Sequence, residues 1–155
     1  MSVGLVDVLI AEDNTADAEL VQVALEQNDR SFRFHLVRDG EEALDFLLSR
    51  GWYSERRYQD APRLILLDIR LPKINGLEVL RVLRHDPRTR LLPVVLLTSS
   101  TLEEGVALGY HPGANSYIQK PTDFQLFRQI VHHLARYWLE FNEPPPLGGR
   151  VMDSW

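Results

Sequence analysis

No cysteine occurs in the 155 residues. That excludes disulfides and thiolate metal sites and fits a reducing compartment. No apolar run approaches the roughly 20 residues needed to span a bilayer. The first seven residues, Met-Ser-Val-Gly-Leu-Val-Asp, lack the basic region and cleavage site of a secretory leader. A basic excess is missing too: the net charge is −5, so nothing marks the chain as a nucleic-acid binder. No internal repeat is present, and low complexity is confined to a short tail. Hydrophobic residues at 45% and charged residues at 25% give an ordinary globular balance, enough for one domain with a sizeable core. The expectation is a soluble, cytoplasmic, single-domain protein with no membrane and no nucleic-acid partner.

What is present begins with Arg63-Leu64-Ile65-Leu66-Leu67-Asp68-Ile69-Arg70-Leu71-Pro72. A short apolar run that ends on one aspartate before a turn reads as a buried parallel strand. Asp68 then stands at the carboxyl end of that strand, the edge where open α/β sheets bind ligands.

Taken in order, the chain alternates strands and helices. Val6–Ala11 reads as a first strand ending on Glu12-Asp13-Asn14, followed by a helix over Thr15–Asn28 with Ala18, Val21, Ala24 and Leu25 on its inner face. Phe32–Val37 alternates apolar and polar residues like a strand near a sheet edge. Asp39-Gly40-Glu41-Glu42 resembles a capping box and opens a helix carrying Ala43, Leu44, Leu47 and Leu48. A long connection over 51–62 leads to the strand at 64–68. Asn75-Gly76 starts a third helix with Leu77, Leu80 and Leu83 on one face, and Asp86-Pro87 ends it. Pro93–Leu97 is a fourth strand closing on Thr98-Ser99-Ser100. A weak helix follows over Leu102–Leu108, and Ala114–Ile118 is a fifth strand leading to Gln119-Lys120-Pro121. Thr122 with Gln125 makes a second capping box for a long last helix, Asp123–Phe141. Residues 1–141 form the domain and 142–155 a tail, and no separate output domain is expected.

Five strands alternating with five helices predict a doubly wound, flavodoxin-like parallel sheet of order 2-1-3-4-5. Glu12 and Asp13, then Asp68, Thr98 and Lys120, meet at its carboxyl edge. Three carboxylates within about 4–6 Å raise each other's pKa, and a hard divalent cation removes that penalty. Oxygen donors without cysteine or histidine point to Mg²⁺. Lys120 supplies a point charge and Thr98 a hydrogen bond for a phosphate. The site reads as Mg²⁺ beside a phosphoryl group on an aspartate. The histidines at 35, 85, 111, 132 and 133 show no metal spacing and are assigned structural or surface roles, as is the pair Arg56-Arg57, taken as a solvated face.

With these residues in place, the chain resembles the receiver domains of two-component response regulators. The motifs are Ile10-Ala11-Glu12-Asp13-Asn14, Leu66-Leu67-Asp68-Ile69-Arg70-Leu71-Pro72, Asn75-Gly76, Leu97-Thr98-Ser99-Ser100 and Tyr117-Ile118-Gln119-Lys120-Pro121, within residues 5–140. The resemblance implies that Asp68 is the phosphoacceptor and that Mg²⁺ is held by Asp13, by Glu12 through water, by Asp68 and by the main-chain carbonyl of Arg70. It also implies that Thr98 and Lys120 hold phosphoryl oxygens, that Tyr117 is an aromatic switch coupled to Thr98, and that Lys120–Pro121 is a cis peptide. The donor would be a sensor histidine kinase. A finer resemblance, from the insert before the third strand, the Leu-Pro-Lys-Ile-Asn-Gly loop and the long last helix, is to the small receivers that partner bacterial phytochrome kinases.

Two other functions compete. An aspartate-nucleophile phosphohydrolase needs a second acidic residue two places after the nucleophile, where the sequence has Arg70. An unphosphorylated interaction scaffold has no use for the complete acidic set. The last helix carries one more expectation. Phe127, Ile130, Val131, Leu134, Trp138 and Phe141 form a stripe at i, i+3, i+4, i+7 spacing, and its C-terminal turns are expected to overhang the sheet. A homodimer through Phe127, Tyr137, Trp138 and Phe141, with the tail, would cover that surface; the alternative is that Pro144–Trp155 folds back over it within one chain.

Overall fold

The computed structural model describes residues 3–27, 32–99 and 113–146. Five parallel strands form one sheet of order β2-β1-β3-β4-β5: β1 Val8–Ala11, β2 Phe34–Val37, β3 Leu64–Asp68, β4 Val94–Thr98 and β5 Ser116–Gln119. Four described helices cover it: α1 Thr15–Glu26, α2 Gly40–Leu47, α3 Gly76–His85 and α4 Phe124–Arg136. The weak helix expected over Leu102–Leu108 lies outside the described residues. Strands β1, β3 and β4 are buried throughout, as expected for central strands covered on both faces. The edge strand β2 is only partly buried.

Alternation along the strands sorts the core into two layers. Leu9, Ala11, Ile65, Leu67, Val94 and Leu96 face α2 and α3 together with Leu44, Leu47, Val79, Leu80 and Leu83. Val8, Ile10, Leu64, Leu66, Val95 and Leu97 face α1 and α4 together with Val21, Leu25, Phe127 and Val131. Each fully buried aliphatic side chain contributes about 1.5–3 kcal/mol, so the register that separates these layers is strongly specified.

The caps mostly follow the sequence. Asn14, Asp39 and Asn75 accept from the backbone N–H of Asp17, Glu42 and Glu78 at 2.9, 2.7 and 3.0 Å. The Glu42 carboxylate reaches back to the N–H of Arg38 at 3.2 Å, closing the box one residue earlier than expected. The second box is corrected. Asp123, not Thr122, caps α4, accepting from Gln125 and Leu126; its carboxylate stands one residue nearer the first free N–H groups. On α3 the inner face uses Val79 rather than Leu77, which is half-buried.

The connection over 51–62, whose Arg56-Arg57 pair was expected to be a solvated face, is folded. It forms two 3₁₀ turns, Gly51–Tyr53 and Tyr58–Asp60, and docks on α2. Tyr53 is buried; its hydroxyl donates to Glu42 Oε2 at 2.7 Å and pairs with His35 Nε2 at 2.9 Å. The Arg56 guanidinium lies 4.0 Å from the centre of the Phe46 ring. It also donates to the carbonyls of Val3, Gly4 and Asp60. An arginine stem and planar head can cover an aromatic ring while donating outward, so only Arg57 fits the solvated reading.

The last helix also departs from expectation. Its buried line is Phe127, Val131, Ala135 and Leu139, with Ile130, Leu134 and Trp138 half-buried beside it. Residues Tyr137–Phe141 continue as a π-helical turn, which rotates the later side chains relative to a straight α-helix. Phe127 is 1% exposed against the sheet, so it belongs to the core and not to a dimer surface. Tyr137 and Phe141 are 53% and 65% exposed. The tail over 147–155 lies outside the described residues.

Candidate functional site

Glu12 follows directly on β1. The pairing of Ala11 with Leu67 places it one step beyond, level with Asp68 at the end of β3. Thr98 ends β4 opposite Gln119, and its carbonyl accepts the N–H of Lys120 at 2.6 Å. One sheet edge thus gathers a carboxylate from β1, a carboxylate from β3, a hydroxyl from β4 and an ammonium after β5. Alternation adds a finer point. Asp68 shares the face of Leu64 and Leu66, and Glu12 that of Val8 and Ile10, so both lie on the α1/α4 side. Thr98 shares the face of Val94 and Leu96, on the other.

The turn after β3 is held tight against Asp68. Gly76 N–H donates to the Ile69 carbonyl at 2.8 Å. A Cβ at Gly76 would stand 2.2 Å from the Asp68 carbonyl oxygen, so only glycine fits. The Asn75-Gly76 pair therefore does two jobs: Asn75 caps α3, and Gly76 lets α3 begin in contact with the strand end.

Lys120 is the centre of the site. Its side chain is 7% exposed, and its Nζ lies 2.6 Å from Glu12 Oε1, 2.9 Å from Asp17 Oδ2 and 3.3 Å from Asp68 Oδ1. Burial alone would lower the lysine pKa, but Asp68, Glu12 and Asp17 outweigh it and hold the ammonium above its ordinary range. Glu12 is 1% exposed. Burial first, and Asp68 second, push its carboxyl up to about 7 against the opposing pull of Lys120. Its Oε2 also accepts the N–H of Asn14 at 3.2 Å. Asp17, in the first turn of α1, was not singled out from the sequence; the signal was an acidic residue five places after Glu12 on a capped helix.

The remaining expected residues occupy distinct places. Thr98 is fully buried and Asp68 is 6% exposed, while Asp13 and Arg70 are exposed at the rim. Tyr117, paired with Leu96 on β5, is half-buried against the α2/α3 layer, and burial raises its hydroxyl pKa. Lys120–Pro121 does not have the expected cis peptide: no peptide bond among the described residues is cis. Trans is the intrinsically favoured state even before proline, by about 0.5–1 kcal/mol.

The donor chemistry suits a hard cation. The available donors are carboxylate and carbonyl oxygens, and three carboxylates, those of Glu12, Asp17 and Asp68, lie within 3.3 Å of one ammonium. The pocket therefore carries more negative charge than one ammonium offsets, which a divalent cation relieves. Among the described residues no cluster of three or more histidine or acidic side chains stands as a ready metal cage. Mg²⁺ does not need one, since it keeps several waters and uses one or two carboxylates. No described helix is long and apolar enough to cross a membrane.

Known proteins share this fold. The family model for the response regulator receiver domain matches residues 8–132. The chain is 38% identical over 138 residues to the probable methanogenesis regulatory protein FilR2 of Methanothrix harundinacea (strain 6Ac), covering 89% of this chain and 86% of that protein. Its fold is similar to the crystal structure of the phosphorylated cyanobacterial phytochrome response regulator RcpA, with a TM-score of 0.81 and 36% identity over 90% of this chain and 97% of that one. It is also similar to the Mn²⁺-bound form of response regulator Rcp1, with a TM-score of 0.80 and 34% identity over 90% of this chain and 98% of that one. The family match over residues 8–132 and relatives of this similarity show one family, and this chain belongs to it: the response regulator receiver domains of two-component signalling.

Proposed function

We propose that Asp68 accepts a phosphoryl group from the phosphohistidine of a sensor kinase, and that the modified protein signals through protein contacts. The observation that carries this reading is the Lys120 ammonium, brought 3.3 Å from Asp68 and, across 108 residues of sequence, 2.6 Å from Glu12. A nearly buried carboxylate beside an ammonium is poised for a reaction in which negative charge builds on a transferring phosphoryl group.

In the transfer, an Asp68 oxygen bonds to phosphorus while the phosphorus–nitrogen bond breaks. The electron pair stays on the imidazole nitrogen, which takes up a proton. Lys120 donates to a phosphoryl oxygen, and Thr98 supplies a second donor from β4. When bound, Mg²⁺ neutralises the charge shared by the carboxylates and the phosphoryl group; Asp13, Asp68, the Arg70 carbonyl and, through water, Glu12 would hold it. Tyr117, on the same sheet face as Thr98, would change position when Thr98 is recruited.

The likeness to RcpA, named a phytochrome response regulator, favours a phytochrome-type kinase as donor. An open groove of about 410 Å³ lined by Ala16, Leu20, Val23, Phe124 and Arg128 offers a partner an apolar seat next to the site. Exposed Tyr137 and Phe141, with Trp138 beside them, favour a homodimer through the end of the last helix. The competing hydrolase reading is weakened by Arg70, exposed where that chemistry wants a second acid. The test is phosphotransfer from candidate autophosphorylated kinases. Label should pass within seconds to minutes to the wild type and not to Asp68→Asn; a kinase that labels both equally would refute the assignment.

A further inference from the structure

We infer that Asp17 is a positioning residue for phosphoryl transfer, acting through Lys120; the inference rests on Asp68 being the acceptor. A lysine ammonium has three protons to donate. Here three carboxylates surround it, and the two nearest, Glu12 at 2.6 Å and Asp17 at 2.9 Å, are not the acceptor. Asp68 stands farther off at 3.3 Å.

Asp17 is itself held in place. Asn14 Oδ1 accepts the backbone N–H of Asp17 at 2.9 Å, while the Asn14 N–H donates to Glu12 Oε2 at 3.2 Å. One capping residue thus holds the Glu12 carboxylate and the backbone of Asp17, the two residues that draw Lys120 toward α1. Asp17 is 23% exposed on its side chain, more open than Glu12 or Lys120, and forms the outer wall of the pair.

The chemistry explains what this arrangement does. An Asp68 oxygen must offer a lone pair to phosphorus. A short, charge-assisted hydrogen bond from Lys120 would occupy that lone pair and weaken the nucleophile. Glu12 and Asp17 hold the ammonium back, close enough to meet a phosphoryl oxygen but not closed onto Asp68. Without Asp17, one ammonium proton loses its acceptor, and Asp68 is the nearest carboxylate beyond Glu12. Lys120 then shifts toward Asp68, and the acceptor is masked before the donor arrives.

The test uses the full chain with Mg²⁺ and acetyl phosphate, following modification by intact mass. In that reaction the Asp68 oxygen bonds to phosphorus, and the phosphorus–oxygen bond to acetate breaks with its electron pair leaving on acetate. Asp17→Ala should slow modification about tenfold, because misplacing a catalytic charge by a fraction of an ångström costs that order of rate. Asp17→Asn, which keeps an acceptor oxygen without the charge, should lose less. Nitrogen-15 spectra of lysine ammonium groups give a second readout that needs no phosphorylation: the Lys120 signal should shift in both variants. A folded Asp17→Ala protein modified within twofold of the wild-type rate, or faster, would overturn the inference. So would an unchanged Lys120 signal in Asp17→Asn, which decides the matter if the alanine variant does not fold. Wild type modified and Asp68→Asn unmodified secures the underlying reading, so failure at Asp17 alone is distinguishable. A wild type that takes no phosphoryl group would remove both.

Discussion

A single ammonium balances Glu12, Asp17 and Asp68, so the site is electrostatically dependent on Lys120. Removing one partner of a buried charge cluster is far costlier than never having built it, by about 3–5 kcal/mol. Lys120→Ala should therefore lower stability by about 3 kcal/mol in metal-free urea titrations. Mg²⁺ should recover part of that loss, since it offsets the same carboxylates. An unchanged midpoint would show that the cluster is not held by Lys120. Most of this chemistry was legible at the residue scale. Asp68 at the end of an apolar run, Glu12-Asp13 after the first strand, and Lys120 before a proline were all visible. Asp17 was not, because an acid in a first helical turn ordinarily serves the helix dipole. Only the fold shows its side chain turned to Lys120.

At the scale of elements, the insert over 51–62 shows where sequence patterns stop being informative. Its polar, aromatic-rich composition has no helical or strand period, so nothing distinguished Arg56 from Arg57. The structure separates them through Phe46 and the carbonyls of residues 3, 4 and 60. The hydrogen-bonded chain His35–Tyr53–Glu42 fastens this unit to β2 and α2. Tyr53→Phe should cost about 1–2 kcal/mol by urea unfolding, because it leaves partners without their hydrogen bonds. The same unit predicts a pH dependence. Burial lowers the pKa of His35 below its ordinary 6.5, Arg56 adds to this and Glu42 opposes it. The unfolded chain takes up that proton near pH 6.5 and the folded chain only at lower pH. The stability His35 contributes as a neutral ring is thus present above pH 6.5 and lost as pH falls below it. Comparing urea midpoints at pH 7.5 and about 5.5 should show a smaller drop for His35→Gln than for the wild type; equal drops would exclude His35 as the cause.

At the scale of the whole molecule, the sheet order followed from five strand patterns alternating with five helical ones, four of which lie among the described residues as helices. They are the most local signals in the chain. The last helix was harder, because its aromatic residues suggested a stripe through Trp138 and Phe141. The buried line instead runs Phe127, Val131, Ala135 and Leu139 at four-residue spacing and leaves Tyr137 and Phe141 outside. Light scattering after size exclusion, at tens of micromolar, should report a dimer for the wild type and a shift toward monomer for Tyr137→Ser/Phe141→Ser. A monomeric wild type, with or without acetyl phosphate, would contradict the homodimer.

Intact-mass spectrometry after incubation with acetyl phosphate and Mg²⁺ tests the central claim most directly. The wild type should gain the mass of one phosphoryl group, Asp68→Asn should gain none, and chelation of the metal with EDTA should abolish the gain in the wild type. A phosphoryl group on Asp68→Asn at the wild-type rate, or undiminished modification in EDTA, would contradict the assignment of Asp68 as the metal-assisted phosphoacceptor.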